Sequence, residues 1–214
     1  MTSTVFRIGS TNLCRRWLVA FVAFIACIAI SATAADLPGD SVYHLDVPLV
    51  DQNGNGSHLA DRRGKPQLVS MFYTSCKFVC PLIIDSVLLT ERSLDSAERQ
   101  RLEVLFVSFD PERDTPTQLK GVFDQRKLDA RRWTLARTEA PNVRKIASAL
   151  DIRYRALADG EINHATALVF LDADGRIVAR TNTLGAVDPD FVAAIRTSLS
   201  AHAARLEPTS VQRQ

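Results

Sequence analysis

Cys76 and Cys80 are separated by three residues in the run Thr74-Ser75-Cys76-Lys77-Phe78-Val79-Cys80-Pro81. Two thiols at this separation can close a disulfide, exchange with a partner's disulfide, or share a soft metal ion. The loop is one residue wider than a thioredoxin-type redox pair, and it still permits all three. Pro81 is a residue type favoured at the first helical position, so the run predicts a helix opening there with Cys80 at its cap. The positive end of a helix and the neighbouring Lys77 both favour thiolates. Metal chemistry needs a third donor, and the chain has four His. His202 falls near the end of a helical pattern and reads as solvated. His58 follows a Gly-rich turn and reads as surface, and His44 sits in a strand-like stretch. His164 precedes the apolar run Ala165 to Leu171, which puts it at a strand start beside a turn.

The segments that must position these residues alternate in type. Gln67 to Tyr73 and Val104 to Phe109 are short apolar runs that read as buried strands, and Trp133 to Ala136 reads as a third. Helical patterns follow Pro81, Thr115-Pro116, Pro141 and Asp188-Pro189. Asn53-Gly54-Asn55-Gly56 reads as a tight turn, and Asp174-Gly175 as a hairpin between Ala165–Leu171 and Ile177–Arg180. Strands alternating with helices, then a hairpin and a closing helix, predict a three-layer α/β fold with a central mixed sheet flanked by helices. The cysteines fall between the first core strand and the first core helix. In open α/β sheets that end of a strand is where ligands collect. Asp110, Arg113 and Asp114 read as a self-bonded loop before Thr115 caps the next helix. Lys77 and Phe78 read as an exposed loop tip.

The chain has 214 residues, 23% charged and 46% hydrophobic, which excludes a disordered, collagen-like or coiled-coil protein. Its formal charge is +2, and Arg7, Arg15 and Arg16 account for the excess. The rest is close to neutral, which argues against a nucleic-acid binder. Arg15-Arg16 precede an apolar run from Trp17, and Ala32-Thr33-Ala34 fits a signal-peptidase site. Residues 1–34 therefore read as an export signal cleaved after Ala34, with an uncleaved inner-membrane tether through residues 17–34 as the rival. Export to a bacterial periplasm follows from either. Cys14 and Cys27 fall in that segment, leaving Cys76 and Cys80 as the cysteines of the domain at 35–206. Residues 207–214 read as a frayed tail.

Three ordered blocks give the sequence a likeness. Thr74 to Pro81, Val107 to Pro116, and Asn163-His164-Ala165 with Leu171 to Gly175 resemble the Sco/SenC family of thioredoxin-fold copper proteins, over roughly residues 43 to 202. The resemblance implies a thioredoxin-like fold and one copper per chain, Cu(I) and/or Cu(II), held by Cys76, Cys80 and His164. Two thiolates and an imidazole suit copper, and would also suit zinc with an open position. The resemblance further implies, as partner, the copper-site subunit of a haem-copper oxidase or another copper chaperone, and a monomer is expected. The family commonly has Pro and an acid after the first Cys, where this chain has Lys77 and Phe78. Asn163 stands where the family has Asp.

Two roles follow. One is a copper chaperone, which is not an enzyme. The other is a thiol-disulfide reductase acting through Cys76 and Cys80, with Cys76 attacking. Thioredoxin-like oxidoreductases typically carry a cis-proline where this chain reads Asn163-His164-Ala165-Thr166, which leans toward metal. A peroxidase is the weakest reading.

Overall fold

In the computed structural model, residues 36–206 are described. The expected export signal at 1–34 and the tail at 207–214 lie outside them. No helix among the described residues is long and apolar enough to cross a membrane.

The chain order is β1 (Pro48–Asp51), β2 (Gly56–His58), β3 (Gln67–Phe72), α1 (Val79–Arg92), α2 (Ser96–Gln100), β4 (Glu103–Ser108), α3 (Pro116–Gln125), β5 (Trp133–Arg137) and α4 (Ala140–Ala149). There follow β6 (Tyr154–Ala156), β7 (Ile162–His164), β8 (Leu168–Leu171), β9 (Ile177–Thr181) and α5 (Pro189–Leu206). Seven strands form one mixed sheet in the order β2-β1-β5-β4-β3-β8-β9. β3, β4 and β5 run parallel, and β1, β8 and β9 are antiparallel to their neighbours. This is the layered α/β arrangement expected, a central mixed sheet flanked by helices.

The central strands form where they do because helices cover them. All six residues of β3 are buried, as are all four of β8, so each is a nearly continuous apolar run rather than an alternating one. Their polar members have partners, as burial requires. Ser70 Oγ donates to Ala167 O at 2.8 Å. Gln67 Nε2 donates to Glu103 Oε2 at 3.1 Å. Phe72, Phe106 and Trp133 line up across β3, β4 and β5, with Phe106 stacked on Trp133 at 5.6 Å and edge-on to Phe72 at 5.5 Å. Leu119 and Phe123 of α3, Val143 and Ile146 of α4, and Phe191, Ile195 and Leu199 of α5 are buried in the same core.

Several boundaries differ from expectation. α1 starts at Val79, so Cys80 is inside its first turn and Pro81 is its third residue. His44 ends a 3-10 turn, Val42–His44, rather than a strand. The strand expected from Ala165 begins only at Leu168. β6 and β7 form a separate two-stranded sheet. Gly175 has φ +80°, and a Cβ there would meet the Tyr43 ring at 2.6 Å. The Asp174-Gly175 turn thus admits glycine for two reasons, the left-handed backbone and the ring laid against it.

Glu91 pins the far end of α1. It is buried, accepts from Trp133 Nε1 at 3.0 Å and pairs with Arg132. Glu91→Ala would leave the buried Trp133 Nε1 without its acceptor, while Arg132 keeps Asp129 and Arg99 O, and should lower the unfolding free energy by about 2 kcal/mol. A urea titration reads this directly; an unchanged midpoint would refute the pinning.

Candidate functional site

β3 ends at Phe72, and the chain passes through Tyr73 to Phe78 before α1 begins. Phe78 is the N-cap residue and offers no side-chain acceptor. The first N–H groups of a helix still need partners. Cys76 supplies one: the Cys80 N–H donates to its Sγ at 3.4 Å. Pro81 has no N–H to satisfy. A sulfur therefore caps this helix.

The two thiols consequently differ. At Cys76, burial pushes the thiol up, but the N–H groups of Cys80, Phe78 and Val79 and the Cys80 thiol outweigh it and hold the group below its ordinary value. At Cys80, burial dominates and pushes the thiol up, with Cys76 adding to the effect. A helix start was expected to favour both thiolates; it does so for Cys76 alone, because Cys80 is walled off from water. Both are free thiols.

His164 ends β7, in a hairpin where Tyr154 pairs with His164 and Ala156 with Ile162. Its Nε2 lies 4.0 Å from Cys80 Sγ, and its Nδ1 lies 3.2 Å from Ala165 O. With Nδ1 donating to that carbonyl, Nε2 keeps its lone pair and faces the sulfur. Burial lowers the imidazole's pKa, against the opposing pull of the Ala165 carbonyl, and so favours the neutral ring. The ring packs 4.8 Å from Phe109 and edge-on to Tyr73 at 6.0 Å.

The fold thus brings Cys76, Cys80 and His164 to one place from a loop, a helix and a hairpin. Among the described residues, no three His, Cys, Asp or Glu side chains form a closed cluster. The three donors are neighbours rather than a finished cage. A sulfur and an imidazole nitrogen at about 2.3 and 2.0 Å from one ion, at a trigonal angle, stand roughly 3.7 Å apart. Cys80 and His164 therefore need only a few tenths of an ångström of closure. A cavity of about 350 Å³ opens beside both cysteines, lined by Tyr73, Thr74, Lys77 and Arg126. Phe78 is 86% exposed at the loop tip, as expected. The remaining histidines are elsewhere: His44 bonds Pro38 O, His58 pairs with Asp46, and His202 on α5 is half-buried rather than fully solvated.

The sequence reading placed Asp114 in a self-bonded loop and missed its tie to Thr74. It is wholly buried, and its carboxylate accepts from the Thr74 N–H at 3.1 Å, from the Thr74 hydroxyl and from the Ser108 hydroxyl. It ties the entrance of the cysteine loop to the end of β4. Burial raises its pKa, against the opposing pull of Ser108 and Thr74. Tyr73 was missed also. Its hydroxyl donates to Glu161 at 2.7 Å and accepts from the Ile162 N–H at 3.4 Å, tying β3 to the His164 hairpin. Thr115 caps α3 through Gln118 N, as expected.

The SCO1/SenC family model matches residues 35–200. The chain belongs to the SCO1/SenC family. A SCO2-like protein of Rickettsia felis is 32% identical over 77 residues, 35% of this chain and 36% of that protein. The chain thus spans about a third of the length of the curated relatives it matches. Bradyrhizobium japonicum ScoI with copper bound superposes with a TM-score of 0.57 at 24% identity, over 71% of this chain and 96% of that one. BsSco, a member of the Sco family of cytochrome c oxidase assembly proteins, gives 0.62 at 18%, over 72% and 91%. At those identities the likeness is one of fold.

The opposed thiols predict opposed reactivity. Cys76 reacts as the thiolate and is partly accessible; Cys80 stays protonated and buried. Iodoacetamide near pH 7 should label Cys76 at least about tenfold faster, with the Cys76 rate levelling off below the usual thiol range. Peptide mapping across pH checks this. Equal rates, or Cys80 leading, would overturn the assignment.

Proposed function

We propose that this chain carries one copper ion as cargo between Cys76, Cys80 and His164, and passes it by ligand exchange in the bacterial periplasm. The recipient is the copper centre of a haem-copper cytochrome oxidase during its assembly, or another copper chaperone. The observation that carries this is the 4.0 Å approach of His164 Nε2 to Cys80 Sγ, with Cys76 four residues from Cys80 and its sulfur on the same helix end. A dithiol exchange centre does not call for an imidazole at that distance, and a soft metal ion between two thiolates can take one as its third donor. Two sulfurs and a nitrogen match the ligand preference of Cu(I) and can also hold Cu(II). Family membership, and relatives named for copper and for oxidase assembly, support the choice of copper over zinc. Export rests on the Arg15-Arg16 run and the Ala32-Thr33-Ala34 site.

One observation favours a second role, that of thiol-disulfide reductase. The acidities of Cys76 and Cys80 are split as an attacking and a resolving thiol should be. Cys76 thiolate would attack one sulfur of a partner's disulfide and release the other as a thiolate. Cys80 would then give its proton to the adjacent His164 Nε2 and attack the Cys76 mixed disulfide, freeing the partner's second sulfur as a thiolate that takes up that proton, and leaving Cys76–Cys80 oxidised until an external dithiol reduces it. Such a step would prepare a partner's cysteines for copper.

Anaerobic titration of the reduced chain with Cu(I) against a chromophoric competitor separates the roles. Cys14 and Cys27 are replaced by Ser throughout. One tight equivalent is expected. His164→Ala should weaken it roughly 10- to 100-fold or more, as loss of a ligand costs at least as much as loss of an outer partner. Replacing Cys76 and Cys80 by Ser should abolish it. A folded, reduced chain with no tight copper would leave the reductase reading standing alone.

A further inference from the structure

The hairpin that carries His164 packs on the body through rings, Phe109 against Tyr154 and His164, and Tyr73 against His164. It is a two-stranded sheet of three-residue strands, separate from the main sheet. A cavity of about 350 Å³ lies against it, lined by Phe109, Arg113, Arg144, Tyr154, Gly160 and Ile162, so the ring packing at the strands does not extend to the turn. Polar ties hold that end. One is the Tyr73 hydroxyl on Glu161 and Ile162. The other is Arg113, whose guanidinium donates to Gly160 O in the hairpin turn at 2.5 Å while its Nε pairs with Asp110. Asp110 is itself buried and donates its N–H to Ser108 Oγ at 2.9 Å. The chain of contacts thus runs from the end of β4 through Asp110 and Arg113 to the turn, four residues before His164. The guanidinium's fork suits it to hold two acceptors at fixed directions. Gly160 has φ +84°, and a Cβ there would meet Arg113 Nη1 at 3.4 Å, ordinary contact distance. The guanidinium is thus seated directly against the turn.

We propose that Arg113 is a positioning residue for the metal site: it fixes the His164 hairpin at the turn and so sets the approach of Nε2 to Cys80. The inference rests on the copper reading above for its consequence, and on the fork between Asp110 and Gly160 for its mechanism. The side chain is 51% exposed, so its replacement leaves the core intact.

The test is a double-mutant cycle on the full chain with Cys14 and Cys27 replaced by Ser, together with hydrogen exchange on the metal-free protein. Arg113→Ala should speed exchange in the hairpin, residues 154–164, and leave β3 and β4 protected. It should weaken Cu(I) about tenfold, the low end of the range for outer partners of a ligand. In the His164→Ala background the same substitution should change Cu(I) affinity by less than about twofold, since the effect travels through His164. Arg113→Lys keeps the charge and loses the fork, and should resemble Arg113→Ala. Equal weakening in both backgrounds, full restoration by Lys, or an unchanged hairpin exchange rate would each overturn the proposal. A parent chain with no tight copper would overturn the copper reading itself, and the anchoring role would then stand or fall on hydrogen exchange alone.

Discussion

The N–H groups that open α1 need an acceptor, and Phe78 at the N-cap has none to give. The rest of the site depends on how that demand is met. Cys76 turns its sulfur back to Cys80 N, which completes the helix start and at the same time stabilises the sulfur's negative charge. An ordinary Ser or Asp cap would satisfy the helix equally well and give up a reactive sulfur. Helix formation and thiol activation are one interaction here. Its second result is that Cys80, carried into the first turn, faces inward and loses contact with water. A pair of chemically identical side chains thereby becomes one half-buried, more acidic thiol and one fully buried, less acidic thiol.

That arrangement holds only if the loop entrance is fixed, and Asp114 fixes it. A buried carboxylate needs every acceptor site used, and Thr74 and Ser108 provide three donors. Because Thr74 precedes Cys76 by two residues, the burial of one acid in the β4–α3 loop constrains the cysteine loop. The same short loop also supplies Phe109, which packs on Tyr154 and His164, and Arg113, which grips the hairpin turn. Segments distant in sequence meet at Phe109 to Asp114. This explains why a stretch with no ligand of its own lies between the two that have them.

The central strands were legible because helices cover them, and residues covered on both faces are nearly all apolar, with Gln67 and Ser70 bonded where they are not. The helix after the cysteine loop was legible too, though its start was misplaced. Pro81 suits a first position by propensity, but the sulfur cap moves the start back to Val79, and a sequence pattern does not reveal that a Cys side chain will turn back as a cap. β6 and β7 left no signal: Arg155, Ala156 and Asn163 are exposed, the strands are three residues long, and neither alternation nor an apolar run survives. His164 was therefore set at the start of a core strand instead of the end of a hairpin. Asp114 was hidden differently. Its neighbours Arg113 and Thr115 carry strong local roles, and nothing nearby in the sequence discloses that its partner Thr74 lies forty residues earlier.

The balance between the two chemistries rests on what the fold does for His164. A dithiol reductase requires the thiol pair and its split acidity, and the cysteine loop with Asp114 beneath it provides both. Yet a separate hairpin projects one imidazole to 4.0 Å from Cys80, held by Tyr73 on one side and Arg113 on the other. The Nδ1 contact with Ala165 O turns the lone pair of Nε2 toward the sulfur. In the metal-free chain that lone pair can accept the Cys80 S–H, so each group has a partner before an ion arrives and regains it after one leaves. Such a site exchanges its ion with little rearrangement, which suits cargo better than a permanent cofactor. The reductase reading uses the imidazole only as a base for the Cys80 proton, whereas the copper reading uses its lone pair, its tautomer and its tethers together as those of a ligand.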